Sequence, residues 1–109
     1  MKRGEVWRVE FDPAIGSEIR KTRPAVIVSN DTANKYMARV QVIPLSSNID
    51  RVYPSETVIT LAGQKSKAMA DQIMTADKLR LKDMLGKLNQ ADMRAVETVI
   101  KIQLGMDGP

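Results

Sequence analysis

Cysteine and histidine are both absent from this chain of 109 residues. Those two gaps remove thiol nucleophiles, disulfides, the usual zinc ligands and the side chain most used for acid–base work near neutral pH. Any catalysis therefore falls to Arg, Lys, Asp, Glu, Ser, Thr or Tyr. Aromatics are scarce: Trp7, Phe11, Tyr36 and Tyr53 are all there are. The first two read as core, so a stacking platform for single strands is poorly supplied. The six glycines are dispersed, with no Gly-rich phosphate loop, which speaks against nucleoside-triphosphate chemistry. Glu18, Asp50, Asp71 and Asp77 are scattered without a D-x-D or E-x-x-E pair in the strand region, so no metal is expected. No apolar run is longer than Ala25–Val28, which predicts neither a signal peptide nor a membrane span. With no disulfides to support a small secreted domain, the expected compartment is cytoplasmic.

What is present is 43% apolar residues, enough for one small domain over residues 1–109 that a partner subunit helps complete. The net charge is +4, and it is unevenly spread. Residues 1–40 and 61–90 each carry +3, whereas 41–60 and 91–109 each carry −1. A chain of this sign attracts polyanions or acidic proteins.

Trp7, Val9 and Phe11 alternate with Arg8 and Glu10, the period of a half-buried strand that Asp12-Pro13 ends. Ala25-Val26-Ile27-Val28 after Pro24 reads as a strand covered on both faces, with a polar loop from Asp12 to Thr22 before it. Arg39–Leu45, Glu56–Leu61 and Lys67–Met74 read as three more strands, the last two separated by a turn at Gly63. Closely spaced strands without long helices between them argue for an antiparallel barrel or strongly curled sheet. Asp77–Leu81 suits a short helical turn, and Met84–Leu88 is open between strand and coil. From Asn89 the pattern is helical: an N-cap, Asp92 in the first turn, a stripe of Met93, Val96, Val99 and Ile100, and a stop at Gly105.

Three constellations carry chemistry. Glu18 to Arg23 packs three cations and a carboxylate into six residues, and Arg23 precedes a proline, which biases it to extended backbone at the start of a strand. Pro44-Leu45-Ser46-Ser47-Asn48 places hydroxyls and an amide at a strand end, suited to a turn or to a phosphate. Asp71 and Gln72 interrupt an apolar run in the expected fifth strand and are either paired structurally or facing a cleft.

Taken in order, these motifs resemble the MazF/PemK (Kid) family of toxin endoribonucleases. The resemblance runs through Lys2-Arg3-Gly4-Glu5-Val6-Trp7, Asp12-Pro13 with Gly16-Ser17-Glu18, and Thr22-Arg23-Pro24-Ala25-Val26-Ile27-Val28-Ser29. It continues in Val42-Ile43-Pro44-Leu45-Ser46-Ser47, Tyr53-Pro54 and Ala70-Asp71-Gln72-Ile73, then Thr75 and Asp77-Lys78. It implies a mainly β (α+β) fold, a small SH3-like antiparallel barrel with a C-terminal helix, assembled as a homodimer. It also implies metal-independent, cofactor-free cleavage of single-stranded RNA, leaving a cyclic phosphate and a 5′-hydroxyl, and a cognate antitoxin with an acidic segment. The family's principal arginine falls on Arg23, its hydroxyl partner on Ser46 and its loop glutamate on Glu18. Arg20, Lys21, Thr22, Ser47, Asn48, Asp71 and Gln72 are then expected to contact the RNA. The chain departs from members that carry a fifth-strand arginine or a basic residue after the glutamine, since Met69 and Met74 stand there.

The chemistry has its own logic. Attack of a ribose 2′-oxygen on its phosphate needs a proton acceptor, a proton donor for the leaving 5′-oxygen, and donors for a phosphorane gaining charge. A guanidinium fork matches phosphate oxygens bidentately. Neutralising an arginine at pH 7 costs about 8 kcal/mol, so Arg23 suits stabiliser and acid better than base; Glu18 is the favoured base, with the choice between the two left open. Two other functions compete: a non-catalytic gyrase inhibitor on the same barrel, as in CcdB toxins, and a basic barrel that binds nucleic acid without cutting it.

Overall fold

The structure, a computed structural model, describes residues 1–11 and 21–106, with Lys21 described in its backbone only. The elements are β1 (Glu5–Phe11), β2 (Lys21–Ile27), α1 (Asp31–Tyr36), β3 (Arg39–Ser46), β4 (Glu56–Leu61) and β5 (Gln64–Met69). They continue with a 3₁₀ turn (Ala70–Gln72), β6 (Met74–Asp77), a second 3₁₀ turn (Lys78–Arg80), β7 (Leu81–Lys87) and α2 (Gln90–Gln103). The molecule is mainly an antiparallel sheet, in the order β4-β5-β3-β2-β1-β7, with β6 attached to β3. Strands β4 and β7 end that order, and no ladder joins them among the described residues.

Strand β3 is the pivot. One edge pairs with β2 through Val42–Pro44. The other edge pairs with β6 over Arg39–Val42 and then with β5 at Leu45 and Ser46. Pro44, which has no N–H to offer a ladder, sits beyond the last β6 pair and before the first β5 pair. The turn Ala70–Gln72 carries the chain across the same gap, anchored by Ala70 N donating to Ser55 O at 3.1 Å. This corrects the expected fifth strand: Lys67–Met74 is not continuous, because pairing ends at Met69, and Asp71 and Gln72 stand in the turn. The loop before β2 is likewise shorter than expected, since pairing starts at Lys21 opposite Phe11.

Two apolar clusters lie on opposite faces of β2. Helix α2 lays Met93, Val96 and Val99 on Val6, Val26, Ile43, Leu45 and Ile59. Val9, Phe11, Ala25, Ile27, Val40 and Val42 form the second cluster, with Trp7 half-buried against it. A fully buried valine such as Val96 contributes about 1.5–3 kcal/mol relative to exposure. The Asn89 side chain caps α2 by accepting from Asp92 N at 2.8 Å, and Asp92 Oδ2 accepts from Thr60 N of β4 at 3.0 Å. Gly105, at φ 68°, closes the helix as Met106 N donates to Lys101 O at 2.8 Å.

Helix α1 has no counterpart in the apolar pattern. Asn30 caps it by accepting from Ala33 N at 2.8 Å, and Asn34, 2% exposed, donates to Ser29 O at 2.9 Å.

Candidate active site

Register assembles the site. Arg23 faces Val9 across β1–β2, and Ala25 faces Pro44 across β2–β3. The β2–β3 ladder ends at that pair, and the same register continued two places outward would set Arg23 level with Ser46. Ser46 in turn faces Lys67 across β3–β5, and Lys67 faces Val58 across β4–β5. Residues opposite one another share a face, and strands lie about 4.8 Å apart. Ser46 is thus the ladder partner of Lys67, while its place beside Arg23 is the register continued beyond the last β2–β3 pair; neither Ser46 nor Lys67 is among the residues lining the cleft at Arg23.

Arg23 is half-buried, and its guanidinium forms no salt bridge among the described residues. Because it belongs to a paired strand and precedes Pro24, its backbone is fixed before any ligand arrives. Ser46 closes β3 and opens a turn: its Oγ accepts from Asn48 N at 3.2 Å, and Asn48 Oδ1 accepts from Asp50 N at 3.2 Å. The sequence left a choice between turn and anion donor, and the geometry accommodates both. The turn uses an oxygen lone pair of Ser46, and the hydroxyl proton has no acceptor among the described residues. Thr22, Arg23 and Pro24 of β2 and Ser47 of the turn line a cleft of about 410 Å³, with Gln64 and Ser66 of β5 on its far side.

Behind the turn sits a group that the sequence reading missed. Lys67 Nζ donates to Glu56 Oε1 at 3.0 Å and to Arg51 O at 2.8 Å, and Glu56 Oε1 also accepts from Tyr53 N at 2.9 Å. The chain between β3 and β4 is therefore tied down at Arg51 and Tyr53. The available signal was a lysine placed two residues from buried Met69 in a paired strand, a position that requires a partner if it is covered.

Asp71 and Gln72 are not among the residues lining the cleft beside Arg23; their turn packs against α2. Glu18 and Arg20 lie outside the described residues, as does the Lys21 side chain. Among the described residues, no three or more acidic side chains gather as a metal site, and no helix is long and apolar enough to cross a membrane.

Comparisons with known proteins place the chain in a family. A family model for PemK-like, MazF-like toxins of type II toxin-antitoxin systems matches residues 2–104. Endoribonuclease MazF9 of Mycobacterium tuberculosis is 38% identical over 97% of this chain and 98% of its own length. Endoribonuclease MazF of Staphylococcus saprophyticus is 37% identical over 97% of this chain and 92% of its own. Among solved structures, an endoribonuclease in complex with its cognate antitoxin from a mycobacterial species superimposes with a TM-score of 0.84 at 27% identity, covering 100% of this chain and 99% of that one. The fold matches that of MazF from Deinococcus radiodurans with a TM-score of 0.85, covering 97% of each chain. On these matches the chain belongs to the PemK/MazF toxin family of type II toxin-antitoxin systems.

Proposed function

We propose that the protein is an endoribonuclease toxin that cuts single-stranded RNA without a metal ion or cofactor and is neutralised by a cognate antitoxin. The observation that carries the reading is Arg23, half-buried on a paired strand without a salt bridge among the described residues and lining a cleft with Ser47; the β2–β3 register, continued past Ala25 and Pro44, supports a place for Ser46 beside it. Kinship to proteins named endoribonucleases favours cleavage over gyrase inhibition, and over binding alone.

In this reading the scissile phosphate lies between Arg23 and Ser46. Glu18 takes the proton of the 2′-hydroxyl, and the 2′-oxygen bonds to phosphorus. Arg23 holds the phosphorane with charge-assisted N–H bonds, and Ser46 donates its hydroxyl to a phosphoryl oxygen. The bond to the 5′-oxygen then breaks, that oxygen takes a proton from the guanidinium or from water, and a 2′,3′-cyclic phosphate and a 5′-hydroxyl remain. Thr22 and Ser47 contact the RNA backbone from the cleft, joined by Asn48 of the adjoining turn and by Arg20 and Lys21. Asp71 and Gln72 contact RNA only where it extends past the cleft toward α2.

The finer architecture belongs to the same proposal. An SH3-like barrel over residues 1–109 is supported by the approach of the two end strands: a methyl group at Gly86 of β7 would meet Leu61 Cδ1 of β4 at 2.8 Å. A homodimer is supported by the exposed apolar end of α2, where Ile102, Leu104 and Met106 face solvent. A net charge of +4 suits the acidic segment of an antitoxin, and a chain without disulfides suits the cytoplasm.

The test is mass analysis of RNA ends after incubation with purified protein in EDTA. Cyclic-phosphate and 5′-hydroxyl termini are expected, and Arg23→Ala reduces the cleavage rate by roughly two orders of magnitude or more. RNA left intact by the wild type sinks the ribonuclease reading, and undiminished cleavage by the variant removes Arg23 from it.

A further inference from the structure

Tyr53 keeps 51% of its surface exposed although its backbone is fixed on both sides. Its N–H donates to Glu56 Oε1 at 2.9 Å, and its carbonyl accepts from Glu56 N at 2.9 Å. Two cations lie near the ring: the Lys67 ammonium is 5.7 Å from its centroid and the Arg51 guanidinium 6.0 Å, and Arg51 Nη1 also donates to the Tyr53 hydroxyl at 3.4 Å. Lys67 is also the ladder partner of Ser46, so the ring stands one lysine side chain away from the hydroxyl assigned to the scissile phosphate.

We infer that Tyr53 is a stacking platform for an unpaired base next to the scissile nucleotide, a subsite that rests on the ribonuclease reading and deepens it. A base has a π-face whatever its sequence, and a rigid aromatic loses little entropy when one stacks on it. Exposed Arg51 supplies charge for the adjoining phosphate, as contacts to a polyanion require. A purely structural role would leave the ring as a cover over Lys67. The ammonium, however, already has two oxygen partners, and about half of the residue's surface is exposed, where a cover gains little. The scarcity of aromatics in the chain is no obstacle, because a single ring in register with the phosphate site makes a subsite.

The test is equilibrium binding of a fluorescein-labelled, randomised single-stranded 2′-fluoro RNA, which has no attacking hydroxyl. Tyr53→Ala and Tyr53→Leu each weaken binding about tenfold or more, while Tyr53→Phe and Tyr53→Trp restore it to within about twofold. Leucine keeps apolar bulk without a π-face, so it answers for any packing loss in the alanine variant. Binding by Tyr53→Leu equal to wild type overturns the subsite, and so does a loss in Tyr53→Phe as large as in Tyr53→Ala. Ring-dependent binding by a wild type that leaves ordinary 2′-hydroxyl RNA intact in the end analysis retains a base-stacking site at Tyr53 and overturns the ribonuclease reading. Absence of RNA binding by the wild type overturns both.

Discussion

Replacing Lys67 by methionine tests how the substrate-facing segment is held. The Lys67 and Glu56 side chains are 11% and 6% exposed and meet at 3.0 Å, so both charges are largely out of water and each depends on the other. Removing the ammonium leaves the carboxylate with the Tyr53 N–H as its remaining partner and frees the Arg51 carbonyl. Breaking a buried pair from one side costs about 3–5 kcal/mol. Because the segment between β3 and β4 lies at the surface and can lift to let water reach Glu56, the lower end applies, about 3 kcal/mol. At about 4 °C per kcal/mol for a chain of this size, Lys67→Met lowers Tm by roughly 12 °C. Glu56→Gln removes the opposite charge, and the double variant recovers most of the loss, since two neutral groups of similar shape need no compensating ion. Urea melts of all four proteins, followed by circular dichroism, give the coupling energy directly. A Lys67→Met loss under about 1 kcal/mol refutes the claim that this pair anchors the segment, as does a double variant whose loss equals the sum of the singles.

Two further outcomes follow from the caps and the N-terminal strand. Asn89→Ala removes the acceptor of Asp92 N, which in turn positions the carboxylate bound to Thr60 N, and costs about 1 kcal/mol in the same melts; no change would show that the cap is idle. Desolvation alone would raise the pKa of Glu5, but hydrogen bonds from Lys2 N and Trp7 Nε1, with the N-terminal ammonium and Lys87, hold it below its ordinary 4.5. A depressed carboxylate stabilises the fold above its ordinary pKa and loses that contribution as pH falls through the folded value. Glu5→Gln therefore flattens that part of the acid unfolding curve read by Trp7 fluorescence, and superimposable curves would refute the assignment.

Periodicity was informative where a side-chain stripe meets a core. Trp7, Val9 and Phe11 announced β1, the unbroken Ala25–Val28 announced a strand covered on both sides, and Asn89 to Gly105 announced α2 with both ends. Helix α1 escaped because D-T-A-N-K-Y has no apolar stripe; it is held by the Asn30 cap and by buried Asn34, a polar network that no apolar pattern reveals. The break at Ala70 escaped for a different reason. Its local sequence suits a strand, and only the change of partner along β3, from β6 to β5, forces a turn there. Arg23 and Ser46 were legible separately, one before a proline and one at a strand end. Their alignment was not, because register is set by partners distant in sequence.

The uneven charge of the chain acquires a meaning in that alignment. Residues 1–40 and 61–90 each carry +3, and in the proposed site one cation comes from each: Lys67, the ladder partner of Ser46, and Arg23, set beside Ser46 by the β2–β3 register continued past Ala25 and Pro44. They are not equivalent. Lys67 spends its charge on Glu56, eleven residues away in sequence, and on the Arg51 carbonyl, so the field it offers a phosphate is largely cancelled. Arg23 has no such carboxylate among the described residues, and its guanidinium stands half-buried where screening by water is reduced. An approaching phosphate is therefore drawn to the β2 side of the hydroxyl, while the neutralised β5 side holds the segment bearing Tyr53. On the proposed reading one side of the hydroxyl binds charge and the other positions a base, a division of labour that a histidine-free chain would obtain from strand register alone.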